Sequence, residues 1–323
     1  MSRVLTLLIC VFFLQSAKSQ QLPQMYFTDS TSGNPVAKDP TIVSFKGKYW
    51  MYYSIPGKNG EGWKIGIATT SNVKVWKKTG EILPASSYEK NGLCAPGVLL
   101  RNDTLHLFYQ TYGNAANDAI CHAWSTDGIN FIRNATNPIF KPTGDWTCGR
   151  AIDAEVIEFK GKYFMYFATR DKTYKIQKQG VASTSLSSSF DKESWKQLTD
   201  SSILAPQLVW EKACVEGASC IKKGKYLYMF YAGGYNNEPQ QIGLARSTDG
   251  INWERMGNQP FLKNGIKGSW NSAESGHPDI FKDNKGKYWL FYQGNNTGDG
   301  KSWYLSNIQL DWKDDNWPKI KNQ

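Results

Sequence analysis

A chain of 323 residues can form one large all-β domain or two ordinary domains, and length alone does not choose between them. A formal charge of +10 suits an acidic partner, but the lysines recur singly in Gly-Lys-Tyr turns and read as a solvated surface. The three histidines and six cysteines show no HExxH or CxxC spacing, which argues against a catalytic zinc site.

The chain opens with Met1-Ser2-Arg3, an apolar run from Val4 to Leu14, and Ala17-Lys18-Ser19, the small–x–small form of a signal-peptidase site. Residues 1–19 are expected to be a cleaved signal peptide, because the apolar run is too short to remain as a membrane helix. Cys10 lies inside that run, against a lipid anchor. Loss of Arg3 and Lys18 lowers the charge from +10 to +8. The mature chain, 20–323, is expected to be secreted or periplasmic, without stable membrane insertion, and export disfavours nucleic acid as a partner. Five cysteines remain (Cys94, Cys121, Cys148, Cys214 and Cys220), an odd count whose pairing the sequence leaves open.

From residue 39 onward one pattern returns five times: "DPTIVSFKGKYWMYYS" from Asp39, "APGVLLRNDTLHLFYQ" from Ala95, "DAEVIEFKGKYFMYFA" from Asp153, "EGASCIKKGKYLYMFYA" from Glu216 and "HPDIFKDNKGKYWLFYQ" from His277. The starts are 56, 58, 63 and 61 residues apart. Each segment is a short strand, a tight turn at Gly47, Asp103, Gly161, Gly224 or Gly286, and an aromatic-rich strand, which is β-hairpin chemistry. A second hairpin follows in four of them, as in "ICHAWSTDGINF" and "IGLARSTDGINW" with their Asp-Gly turns. Five units of about four antiparallel strands predict a single all-β domain over 20–323, a five-bladed β-propeller, expected as a monomer. The fourth strand of the last unit is not legible, and "MYFT" at 25–28 is one candidate.

First strands of propeller blades line the central channel, so the lead positions Asp39, Ala95, Asp153, Glu216 and His277 are expected to converge. Three carboxylates in one place repel and raise one another's pKa, a cost that folding does not need and chemistry can use. Glycosidic cleavage needs a protonated carboxyl to meet the leaving oxygen and an ionised one to activate water or attack the anomeric carbon, and a third can tune the acid. Singly, each has a plainer reading: Asp39-Pro40 as turn initiation, Asp153 and Glu216 as strand ends, and His277 as a partner for a main-chain carbonyl. Glu155, Asp279 and Glu274 are the rival carboxylates.

The "DP" of the first unit, "AP" of the second, "ID" of the third, "EG" of the fourth and "GH" of the fifth resemble glycoside hydrolase family 43 and its five-bladed relatives, families 32, 62 and 117, over roughly 39–310. The resemblance implies Asp39 as general base, Asp153 as pKa modulator and Glu216 as general acid. It also implies His277 in the channel beside a water or a structural calcium, with no cofactor required for the reaction. "GRAIDAE" stands where family 32 carries "RDP", which argues against a fructan substrate and for inversion.

Tyr88, Trp146, Trp210 and Trp270 precede the lead positions by six or seven residues and are expected either to stack on sugar or to plug the fold. Arg150 is expected to meet a sugar hydroxyl or Asp153. Together these features point to a secreted, inverting, exo-acting hydrolase that removes α-L-arabinofuranosyl or β-xylosyl residues from polysaccharide side chains. The rivals are a related galactofuranose-, fructan- or algal-glycan-specific glycosidase, an inverting phosphorylase, and a glycan-binding propeller without activity.

Overall fold

The computed structural model describes residues 24–58 and 60–321, so the expected signal peptide at 1–19 lies outside the described residues. Five four-stranded antiparallel sheets follow one another in chain order. The first blade is β1 (Lys38–Phe45), β2 (Lys48–Ile55), β3 (Lys64–Thr70) and β4 (Lys77–Ile82). The second is β5 (Leu93–Arg101), β6 (Thr104–Thr111), β7 (Ile120–Ser125) and β8 (Ile132–Arg133). The third is β9 (Ile152–Phe159), β10 (Lys162–Arg170), β11 (Gln177–Ser185) and β12 (Lys196–Gln197). The fourth is β13 (Val215–Lys223), β14 (Tyr226–Gly233), β15 (Gln241–Ser247) and β16 (Glu254–Arg255). The fifth is β17 (Glu274–Lys282), β18 (Tyr288–Asn295), β19 (Tyr304–Asp311) and β20 (Lys319–Ile320). This is the five-bladed propeller that the repeat predicts.

The first hairpins of blades one, two and three follow from their turn residues. Lys46-Gly47 has φ of 48° then 74°, Lys160-Gly161 has 48° then 75°, and Asn102-Asp103 has 50° then 54°. Two successive positive φ values make the tight turn whose twist matches its strands, and Gly, Asn and Asp are the residues that adopt it most readily. Beyond the turn, β2 (KYWMYYSI) is buried from Tyr49 to Ile55, so neighbouring blades cover both faces of the sheet. The core is accordingly distributed between blades. Tyr52, Ile65 and Ile67 of the first blade meet Leu105, Leu107 and Tyr109 of the second, and a comparable cluster fills each later joint. Each large side chain buried there contributes about 1.5–3 kcal/mol. The tyrosine tips are not left dry: Tyr52 and Tyr166 donate their hydroxyls at 2.9 and 3.0 Å to the carbonyls of Gly128 and Gly250, in the Asp-Gly turns of the next blade.

The last blade completes itself with β20, two residues that carry no alternation to read. The segment at 25–28 has a different place: Phe27 bridges Leu305 of β19, with main-chain bonds in both directions at 3.1 and 2.8 Å. Phe140, Leu204 and Leu262 pair in the same antiparallel way with the third strands of blades two, three and four. In the fifth blade, the start of the chain supplies what a following linker supplies elsewhere.

Candidate active site

Every first strand is interrupted near its beginning by a β-bulge, between Lys38/Thr41, Cys94/Gly97, Ile152/Glu155, Glu216/Ser219 and Gly276/Asp279. The residue that opens each bulge has positive φ: Asp39 (49°), Ala95 (47°), Asp153 (54°), Gly217 (57°) and His277 (39°). The non-glycine members carry a strain of about 1–3 kcal/mol each, and because chemically inert Ala95 shares it, the strain belongs to the blade and not to catalysis. This register corrects the lead-position alignment. Gly217, not Glu216, is the structural equivalent of Asp39 and Asp153, and Glu216 stands one residue earlier, level with Lys38, Cys94 and Ile152.

The offset does not separate the acids. Asp39, Asp153, Glu216 and His277 line one pocket, with Arg150, Ile152, Cys94 and Lys38 beside them. His277 is the hub: Nδ1 lies 3.2 Å from Asp39 Oδ1 and Nε2 lies 3.6 Å from Glu216 Oε1. Room for the ring comes from Gly217, where a Cβ would stand 3.2 Å from His277 Nδ1. Glu216 also accepts from the amides of Gln240, at 2.7 Å, and Gln177. The main-chain amide of Asp39 donates to Gln293 Oε1 at 2.9 Å and that of Asp153 to Gln110 Oε1 at 2.8 Å, each from the preceding blade.

Burial disfavours every charge here, and the outcome depends on partners. Burial pushes the Asp153 carboxyl up to about 7, with Glu216 and Asp39 adding repulsion against the pull of His277 and Arg150. Burial also opposes the His277 imidazolium, but Asp39, Asp153 and Glu216 overcome it and raise the ring to about 10. For Glu216, the hydrogen bond and charge of His277, then Lys38 and Gln240, outweigh burial and hold the carboxyl below its usual range. In the resting protein the mobile protons therefore sit on His277 and Asp153, and Glu216 is an anion.

The rival carboxylates have other work. Glu155 and Asp279 lie one layer down the channel, where they accept main-chain amides of adjacent blades from Cys220 (2.9 Å) and Ile42 (3.1 Å). Glu274 is fully buried and binds Trp303 Nε1, Gln293 Nε2 and Asn237 N at 2.7–3.0 Å. Asp153, Glu216 and His277 each offer a donor atom within 4.8 Å of the others. Calcium takes six to eight oxygens, of which the Asp153 and Glu216 carboxylates would supply only part, and His277 as a nitrogen donor would reach it more readily through water than directly.

Arg150 lines the pocket, but its Nε lies 3.4 Å from Asp118 Oδ2, so its carboxylate partner is Asp118 and not the expected Asp153. The four loop aromatics do not line the pocket. Tyr88 packs against the joint of blades one and two, while Trp146, Trp210 and Trp270 lie on Phe167, Tyr231 and Tyr292 with centroids 6.3, 5.9 and 5.5 Å apart. Gly180, Gly233 and Gly294 make space for those indoles. They are plugs within the blades, the second of the two readings expected of them, and the aromatic rings on the pocket wall are others. Trp63 and Tyr112, 5.7 Å apart, and Tyr235 line the pocket together with Gln110, Arg170, Gln177 and Asn236. These come from loops and strand ends of different blades and share no common offset, so the sequence gives them no signal. All five remaining cysteines are unpaired.

The sequence profile of Glycosyl hydrolases family 43 matches residues 33–318. A probable arabinan endo-1,5-alpha-L-arabinosidase A of Neosartorya fischeri is 26% identical over 247 residues, 68% of each chain. Its counterpart in Aspergillus clavatus is 26% identical over 222 residues, 64% of this chain and 60% of that one. Among solved structures, a thermostable family-43 glycoside hydrolase superposes with a TM-score of 0.70 at 21% identity, covering 92% of this chain and 96% of the other.

Proposed function

Because the chain belongs to glycosyl hydrolases family 43, and is thus a glycoside hydrolase, we propose that it is an exported, inverting, exo-acting enzyme that removes terminal pentose residues, foremost α-L-arabinofuranosyl, from polysaccharide side chains. The observation that carries the reading is the single imidazole between Asp39 and Glu216. A ring inserted between two carboxyls supports the wider spacing at which a water fits, about 6.5–9.5 Å for inversion against about 5–5.5 Å for retention. Asp39 takes a proton from that water as it attacks the anomeric carbon. Glu216 gives a proton to the departing glycosidic oxygen. Since Glu216 rests as an anion, it must first be loaded, and His277 Nε2, 3.6 Å from its Oε1, is the group placed to load it. Asp153 releases its own proton as pH rises through about 7, and the charge it then carries beside Glu216 raises that carboxylate's proton affinity and favours the transfer.

All five blades contribute to the pocket wall, which supports removal of end residues, and the arabinanase relatives support arabinofuranose over xylose. The leader-like segment at 1–19 supports export. The decisive test is hydrolysis of aryl furanosides and arabino-oligosaccharides followed by anomeric NMR. Inverted monosaccharide is the expected product, and Asp39→Asn and Glu216→Gln each lower kcat by about 10³-fold or more with unchanged circular dichroism. Retained configuration, internal cleavage or activity in either variant contradicts the corresponding part of the proposal.

A further inference from the structure

Arg170 ends β10 on the wall of the acid pocket. Its Nε donates to Gln177 Oε1 at 2.9 Å, and its guanidinium carbon lies 4.8 Å from the ring of Tyr174 and 5.1 Å from that of Tyr235. The hydroxyl of Tyr235 is in turn tied at 3.2 Å to the carbonyl of Lys175, so loops of the third and fourth blades close on Arg170 from both sides.

This guanidinium is unusual within the molecule. Arg133, Arg150, Arg246 and Arg255 each hold a carboxylate, and Arg101 gives a terminal nitrogen to the carbonyl of Ser188 at 2.7 Å. Among the described residues, Arg170 alone has neither a carboxylate nor a protein acceptor for its terminal nitrogens. Aromatic faces and one amide hold it on the pocket wall, and the two terminal N–H groups of its planar fork are left without a protein acceptor. Such a fork matches a carboxylate through two parallel, charge-assisted bonds, whereas a sugar hydroxyl engages one of them.

Its position says which part of a substrate it meets. Gln177, which accepts from Arg170, donates through its amide to Glu216 Oε2. Arg170 is thus one side chain removed from the residue assigned as the proton donor, which brings it near the sugar that leaves with the glycosidic oxygen. We propose that Arg170 binds a carboxylate of the leaving-group sugar, so that the preferred substrates are glycans in which the cleaved pentose is carried by or next to a uronic acid. The proposal rests on the assignment of Glu216 as the acid. The charge of +8 expected for the chain without residues 1–19 favours approach of such a polyanion.

The test uses a pentosyl-substituted uronic-acid oligosaccharide and the same compound with its carboxyls reduced to alcohols. Wild-type kcat/KM is expected to be about tenfold or more higher for the acidic form, with the preference shrinking as salt rises. Arg170→Gln is expected to bring the ratio to within about twofold, mainly through loss on the acidic compound, and Arg170→Lys to restore only part of it. Equal wild-type rates on the two compounds, or an equal loss on both in Arg170→Gln, overturns the proposal. If neither compound releases pentose, the functional reading has failed instead. Calorimetric binding of an unsubstituted uronic-acid disaccharide and its reduced form to wild type and Arg170→Gln then decides the role of Arg170 by itself: preference for the acid that the variant loses upholds it, and no preference refutes it.

Discussion

At the scale of single residues, Asp153 is the most exposed to test because the fold gains so little from it. Its Oδ2 is buried without a hydrogen-bond partner, and its carboxyl rests near 7, above the 3.8 of a free aspartate. Between those two values the folded protein holds a proton that the unfolded chain has released, so stability falls as pH rises from about 4 to 7. Asp153→Asn removes that burden. Its thermal midpoint should exceed that of wild type by more at pH 8 than at pH 5, with a gain on the order of 1–3 kcal/mol at pH 8 and a loss of turnover. A variant less stable than wild type at pH 8 shows instead that the ionised carboxylate stabilises the fold through His277. Gly217→Ala is the steric counterpart. An added Cβ strains φ at +57° and presses on His277 Nδ1, so the variant should lose most activity along with about 1–2 kcal/mol of stability, visible together in rate and melting assays.

Gly217 also shows what the sequence makes readable at this scale. Tyr88, Trp146 and Trp270 stand seven residues before Ala95, Asp153 and His277, and Trp210 stands seven before Gly217 but six before Glu216. A constant offset of seven puts the glycine, rather than the acid, in the shared slot. The identity of the three acids can be read because strand starts converge in a propeller. The partners Gln177, Arg170 and Tyr235 cannot, because their meeting depends on how loops of separate blades lean together.

At the scale of elements, blades two and four share a buried clip. Glu89, in a short 3-10 turn ahead of β5, accepts from Tyr109 (2.6 Å), Arg133 (3.1 Å) and the amide of Ala85 (2.6 Å). Glu211, ahead of β13, accepts from Tyr231 (2.7 Å), Arg255 (2.8 Å) and the amide of Gln207 (2.7 Å). Each carboxylate is fully buried and joins the entry turn to the second and fourth strands of its own sheet. Removing one charge strands the other, so Glu89→Gln or Glu211→Gln should cost about 3 kcal/mol in denaturant unfolding. The double variant Glu89→Gln/Arg133→Met should cost less than the sum of its parts, and strict additivity would show that the pair is not coupled. Tyr-Glu and Trp-Glu are visible in the sequence, but the arginines that complete the clips lie 44 positions away, beyond any local pattern.

At the scale of the whole molecule, groups with opposite demands set the pH range. His106 and His122 stack in the second blade with ring nitrogens 3.0 Å apart, and burial, with Arg101 and, for His122, the charge of His106, lowers them to about 4 and about 3. The unfolded chain protonates them below about 6.5, so their contribution is lost progressively as pH falls from there toward about 4 and 3. Asp153 and Asp279, both raised by burial to about 7, act the other way between about 4 and 7, and His277 loses its contribution as pH rises from about 6.5 toward 10. Burial raises Glu155 well above its ordinary range as well, so the acids outnumber the two histidines and stability declines from about pH 4.5 upward, to be checked by thermal scans across pH. Asp279→Asn should soften the decline, and a maximum near pH 9 would contradict the scheme. The ring itself is legible from five hairpins at near-equal spacing. Its closure is not, because β20 is two residues long and Phe27 pairs with a strand almost the whole chain away.

That pairing of Phe27 with Leu305 bears on how the polypeptide reaches its final form. Synthesis proceeds from one end, yet the segment around Phe27 has no strand to join until the last blade has been made. Late docking of this kind joins distant stretches of chain and makes ring completion slow relative to the folding of single hairpins. It also brings the two ends of the domain onto one sheet. New termini opened in an exposed turn such as Asn102-Asp103, with the old ends linked, should yield a permuted protein that folds and retains its pocket.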